Sequence, residues 1–115
     1  SLSTADEQFI TMCVECVQQH LADTEFDLEA FSSAMNISKS SLYKKLHALT
    51  SLSPSSFIRN IRMKYASELL RKNPKVRIAD VAYAVGFNDP KYFSSCFKKE
   101  FGMLPSDYVK DELEK

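Results

Sequence analysis

Three groups of side chains in this sequence could carry chemistry. Cys13 and Cys16 have the spacing that zinc sites use, but a structural zinc site needs four donors and no second pair follows. One turn apart on an amphipathic stretch, the two thiols read as core. His20 and His47 stand singly, without the nucleophile or carboxylate that a catalytic pair requires. Two isolated glycines cannot build a phosphate-cradling loop, and no paired carboxylates occur at useful spacing. Neither an enzyme nor a bound cofactor or metal is therefore expected. The third group is different. Lys39, Ser40, Tyr43, Lys44 and His47 fall on one helical face, and Lys91, Ser94, Ser95 and Lys98 on another. Such faces offer hydrogen-bond donors and positive charge, which suits phosphates and base edges.

The elements that would position these faces come as a repeat. Ala34-Met35-Asn36-Ile37 is echoed fifty positions later by Ala84-Val85-Gly86-Phe87. Leu42, Leu46, Pro54 and Phe57 are echoed fifty-one positions later by Phe93, Phe97, Pro105 and Tyr108. The second copy thus has one extra residue in or just after its turn. Two copies of one helical unit at fixed separation suggest a target that also repeats, and the pitch of duplex DNA is such a repeat.

Caps and periodicity predict seven helices and no strand. Thr4-Ala5-Asp6-Glu7 reads as a capping box, opening a helix with Phe9, Cys13, Cys16, Val17 and His20 or Leu21 inward; His20 reads as a surface residue at the helix end. Asp27 caps a short second helix that buries Leu28, Phe31 and Ala34 and stops at Asn36, a residue that tolerates positive φ. Ser38 caps the third, Lys39 to Thr50, with Leu42, Leu46 and Leu49 inward. Ser53-Pro54 starts the longest, Pro54 to Lys72, with a stripe of Phe57, Ile58, Ile61, Tyr65, Leu69 and Leu70. The fifth uses Ile78, Val81, Ala82 and Val85 but has Arg77 where a capping hydroxyl would help; it ends at Gly86, the counterpart of Asn36. Asp89-Pro90 starts the sixth, burying Phe93, Phe97 and Phe101 and closing at Gly102. Pro105 starts the seventh, with Tyr108 and Val109 inward and a tail from Lys110 to Lys115 expected to fray. The aromatic residues read as core apart from Tyr43 and Tyr92, and Cys96 as a half-buried packing residue. Helices two and three form one helix-turn-helix unit, and five and six another. The division expected is residues 1–53, a connecting helix over 54–72, and residues 73–115. At about 1.5 Å per residue the connector spans roughly 28 Å, against about 34 Å between successive major-groove faces on one side of B-DNA.

Net charge is zero, but its distribution is uneven. Residues 1–34 hold seven acids and no Lys or Arg; residues 35–77 hold ten basic side chains against Glu68 alone. A charge run is commonly just a solvated face. Here it begins inside a repeat, and the field at a binding face depends on local rather than net charge. No run of apolar residues is long enough to cross a membrane, and no signal peptide is visible. The odd count of three cysteines outlines no disulfide framework, so a reducing cytoplasm is expected. The opening Ser1-Leu2-Ser3 suits a piece of a longer polypeptide.

The chain resembles the DNA-binding domain of the AraC/XylS family of bacterial transcription regulators over residues 27–109. The resemblance is carried by Asp27 to Leu46 in the first unit and more closely by Ile78-Ala79-Asp80-Val81-Ala82, Val85-Gly86-Phe87-Asn88-Asp89-Pro90, Tyr92-Phe93, Phe97 to Gly102 and Pro105 in the second. The N-terminal helix with Asp23 to Asp27 also resembles output ends of hybrid two-component regulators. The resemblance implies two helix-turn-helix subdomains joined by a long helix, with one recognition helix each in adjacent major grooves. It places Ser40, Tyr43 and Lys44 at bases; Lys91, Ser94 and Ser95 are the candidates in the second unit. Ser38, Lys39, His47, Arg59, Arg62, Asp89, Pro90, Lys98 and Lys99 are the candidates for the DNA backbone. Many relatives carry Arg where Ser95 sits, so the second unit is expected to discriminate less. Expected partners are double-stranded DNA, RNA polymerase, and upstream sensor and dimerisation domains. The alternative is a helical protein–protein module contacting the transcription machinery.

Overall fold

The structure is a computed structural model describing residues 2–115. Among them are seven helices and no strand: α1 (Thr4–Gln19), α2 (Leu28–Met35), α3 (Lys39–Thr50), α4 (Pro54–Lys72), α5 (Ile78–Ala84), α6 (Pro90–Phe101) and α7 (Pro105–Leu113). The residues cluster into two compact units. One comprises the segment through His20 together with Glu25–Ile61; the other comprises Leu21–Thr24 and Arg62–Lys115. The boundary falls within α4, whose first half belongs to one unit and second half to the other.

In the first unit α1, α2 and α3 pack on one another. Cys13, Cys16, Val17, Phe31, Leu42 and Leu46 are buried, joined by Phe57, Ile58 and Ile61 from the first half of α4. Phe31 stacks between Phe26 and Phe57, with ring centroids 5.7 and 6.1 Å away. Each buried side chain of this size contributes about 1.5–3 kcal/mol of hydrophobic stabilisation. His20 is not a surface residue: its ring lies 4.4 Å from Phe26, nearly parallel, and its Nδ1 is 2.8 Å from the Cys16 carbonyl oxygen. The imidazole thus covers the end of α1 and is half-buried.

In the second unit Met63, Ala66, Leu70, Val81, Ala82, Val85, Phe87, Phe93 and Phe97 form the core. Phe97 touches Phe101 at 4.5 Å and Tyr108 at 5.4 Å, which ties α6 to α7. Leu21, from the linker after α1, also packs there.

Several expectations need correction. The N-cap of α1 is Ser3, whose side chain accepts from the Asp6 N–H, one residue before the expected Thr4. Ala34, Leu69 and Tyr83 are exposed. The two ends of α4 belong to different units, so no single stripe describes it, and Met63 and Ala66 are buried where the stripe had Leu69. The α7 helix takes in the first part of the charged tail, running through Lys110 to Leu113.

Both turns close in the same way. Ile37 N–H donates to Ser32 O and Asn36 N–H to Ser33 O; Phe87 N–H donates to Ala82 O and Gly86 N–H to Tyr83 O. Each is a Schellman closure around a left-handed residue, Asn36 at φ 60° and Gly86 at φ 90°. The closures are fifty residues apart, whereas the caps that follow, Ser38 and Asp89, are fifty-one apart. Asn88 is therefore the extra residue of the second copy.

Candidate nucleic-acid interface

Ser38 opens α3 by accepting the Ser41 N–H at 3.0 Å, and Leu42 and Leu46 are fully buried on its inner side. That leaves Lys39, Ser40, Tyr43, Lys44 and His47 exposed together. The Tyr43 and His47 rings stack nearly parallel, with centroids 6.1 Å apart and planes 12° from parallel. Lys45 points elsewhere: its Nζ sits 4.4 Å from the centre of the Phe9 ring on α1. No acid occupies the first turn of α3, so the positive end of the helix dipole faces outward uncompensated.

Asp89 opens α6 by accepting the Lys91 N–H at 3.0 Å, and Phe93 and Phe97 are fully buried. Lys91, Ser95, Lys98 and Lys99 are exposed and Ser94 is half-buried. The Ser95 hydroxyl donates back to Lys91 O at 3.2 Å, leaving its lone pairs as its readier offering to a base. The Asp89 carboxylate serves as a cap and would repel a phosphate, and Pro90 has no N–H. These two can approach a backbone only through the Asp89 N–H and the pyrrolidine ring.

The structure thus brings Ser38, Lys39, Ser40, Tyr43, Lys44 and His47 onto one face of the first unit. It brings Lys91, Ser94, Ser95 and Lys98 onto one face of the second, with Lys99 exposed beside them. Arg59 is half-buried and donates to Ser56 Oγ at 3.3 Å. Arg62 is the correction: it is only 8% exposed. Its Nη1 donates to Gly86 O at 2.9 Å and its Nη2 to Asp23 O at 2.8 Å. A guanidinium so engaged cannot reach a phosphate. Burial pulls its pKa below the ordinary value, and the Asp23 carboxylate opposes that shift; the group still stays charged. Sequence reasoning missed the clamp because its acceptors are main-chain carbonyls, which leave no trace in side-chain pattern.

Cys13 and Cys16 are buried free thiols, and no cluster of metal-ligating side chains occurs among the described residues. Burial pushes the Cys13 thiol up to about 12. No described helix is long and apolar enough to cross a membrane.

Two small helical units, each presenting the polar face of a capped second helix, define a double helix-turn-helix domain. A family model described as a helix-turn-helix domain matches residues 31–111, and the chain belongs to this helix-turn-helix family, of AraC/XylS type. Histidine kinase P4 of Formosa agariphila is 41% identical over 108 residues, which cover 94% of this chain and 8% of that protein. The chain therefore spans only a small part of that curated relative. The structure of a DNA-binding transcriptional dual regulator from Escherichia coli K-12 is similar, with a TM-score of 0.81, 26% identity and 90% of each chain covered. So is the C-terminal domain of AraT, a response regulator from Geobacillus stearothermophilus, with a TM-score of 0.82, 27% identity, and 96% of this chain and 87% of that one covered.

Proposed function

We propose that this chain is the sequence-specific, double-stranded-DNA-binding output domain of a bacterial transcription regulator, with α3 and α6 reading adjacent major grooves. The observation that carries this reading is the repeated unit itself. In each copy the same Schellman turn is followed by a capped helix with aromatic or leucine side chains inward and Lys, Ser or Tyr outward. Ser40, Tyr43 and Lys44 correspond position for position to Lys91, Ser94 and Ser95, so both copies offer base-reading groups at the same three places. Lys44 can donate to guanine O6 and N7, and Tyr43 can pack on a thymine methyl. Lys39, Ser38 and His47 in the first unit, with Arg59, Lys98 and Lys99, hold phosphates. The similarity to a DNA-binding transcriptional dual regulator supports the same reading.

The domain acts in the cytoplasm, where the DNA and the reducing conditions that keep its thiols free are found. The similarity to a histidine kinase forty-one per cent identical, and to a response regulator's C-terminal domain, supports an upstream sensor and phosphorelay in the same polypeptide. Selection of bound sequences from a random duplex pool tests the proposal: two enriched half-sites are expected. A second reading, a helical module that docks on the transcription machinery, draws on the acidic α1, which exposes Met12 among its acids. Absence of duplex binding at low salt would favour that reading.

A further inference from the structure

We propose that Arg62 is a positioning residue for the second reading head, pinning the α5–α6 turn to α4 and to the α1–α2 linker so that the first turn of α6 meets the bases in one orientation. This rests on the reading of α6 as a recognition helix.

Arg62 is the one buried charged side chain among the described residues. Burying a guanidinium is expensive, and an apolar side chain of similar volume is often no less stabilising. What the apolar replacement cannot do is hold two carbonyl oxygens from separate segments, Gly86 in the turn and Asp23 in the linker. The planar fork of Arg makes both bonds at once, whereas the single ammonium of Lys has no such fixed geometry. The Nε–H is left without a partner, so the group sits where the two carbonyls hold it and not where all its donors would be satisfied.

The contact continues to the reading face. The guanidinium carbon lies 6.0 Å from the Phe87 ring centroid, and Phe87 meets Tyr92 at 5.8 Å and Phe93 at 5.4 Å. Tyr92 and Phe93 stand between Lys91 and Ser94 in α6. A line of contacts thus runs from Arg62 through the turn to the residues that flank the base-reading side chains. Gly86 is part of the same device. A Cβ there would collide with the Leu21 carbonyl oxygen and lie 2.7 Å from Arg62 Cζ, and φ is +90°. The first head has nothing comparable, since Thr11 and Met12 stand at the positions fifty-one and fifty residues before Arg62.

The test is duplex selection with the unmodified chain, Arg62→Lys and Arg62→Met, each corrected for folded fraction by thermal melting. Preference in the first half-site should stay as it is, while discrimination in the second falls about tenfold, the scale of one lost base contact. Amide exchange should quicken over residues 86–92 and not in α3. Folded variants that keep both preferences, or lose both alike, overturn the proposal and leave Arg62 a matter of stability only. Should neither variant fold, the unmodified chain decides: Arg62 Nη protons must give resolved, slowly exchanging signals, and signals averaged with bulk water overturn the clamp. A wild-type chain that selects no duplex removes the DNA reading itself, a different outcome from one that selects two half-sites which Arg62→Lys leaves intact.

Discussion

Lys44 and Ser95 occupy matching positions on α3 and α6, and on the proposed reading their difference sets what each head can read. An ammonium on an exposed helix face can donate to guanine, whereas a hydroxyl bonded back to Lys91 O is better placed to accept from adenine N6 or cytosine N4. Lys44→Ala should therefore weaken binding by about 1–3 kcal/mol and relax preference at one base step, which a competition assay against single-base variants of the selected site will measure. Equal weakening on every sequence would demote Lys44 to a phosphate contact. The thiols make a separate prediction. The Cys13 thiol is raised from 9.0 to about 12 by burial, with Cys16 adding to the shift and Lys45 opposing it. Between those values the unfolded chain has released a proton that the folded chain retains. The stabilisation is therefore complete below pH 9 and declines as pH rises towards 12. Chemical denaturation across that window should show falling stability in the parent and a shallower fall in Cys13→Ala. At neutral pH the half-buried Cys96 should be alkylated well before Cys13 and Cys16.

Each recognition helix owes its start to one side chain, and for α3 that side chain also faces the proposed DNA. Ser38 accepts the Ser41 N–H and donates to the Ser41 hydroxyl. Ser38→Ala should cost about 1 kcal/mol of stability, whereas Ser38→Gly costs only a few tenths because glycine is itself an acceptable N-cap. If Ser38 also holds a phosphate, both variants should lose DNA affinity to a similar degree despite their different melting temperatures. Affinity that simply tracks stability would leave Ser38 as a cap alone. Caps of this kind are why helix limits are legible in the sequence: Ser38, Pro54, Asp89 and Pro105 mark starts and Asn36 and Gly102 mark stops, whereas α5 ends at Ala84, with Val85 as its cap and the left-handed Gly86 one residue beyond. The stop of α3 is not legible. Ser51 takes φ 64° to end α3, and serine carries no special signal for that conformation. The start of α1 slipped because Ser3 and Thr4 are both competent caps with an acid three residues on. The misplaced core residues have one cause. Periodicity reports which residues share a face but not how wide the covered stripe is, so Ala34 and Leu69 fall on its uncovered edge while Met63 and Ala66 fall inside it. The exposed faces of α3 and α6 follow directly from Leu42, Leu46, Phe93 and Phe97 being core.

For the molecule as a whole, a net charge of zero does not forbid tight DNA binding, because the cations that matter are local. Removing Arg62 from the candidate phosphate contacts leaves Lys39, Arg59, Lys98 and Lys99 as the Lys and Arg side chains among them. Four neutralised phosphates give a slope of log K against log salt near −3.6, at about −0.9 per contact. A titration across salt concentrations should find a slope of about −3.6, and the charge-removing Arg62→Met should leave it unaltered whereas Lys98→Ala should make it shallower by about one. A slope made shallower by Arg62→Met would restore that residue to the phosphate contacts. The proposed pairing of heads makes a second demand. The proposed reading of adjacent major grooves by α3 and α6 itself fixes the spacing of the half-sites. The half-sites should therefore lie about 10 base pairs apart centre to centre. Five extra base pairs between them turn the second half-site to the opposite side of the duplex, and ten move it one further turn away. Both insertions should reduce affinity to that of a single half-site, in contrast to a flexibly linked pair of heads, which would recover at ten. Recovery at ten would overturn the reading of adjacent grooves, and the two units would then have to be treated as independent binders on a tether.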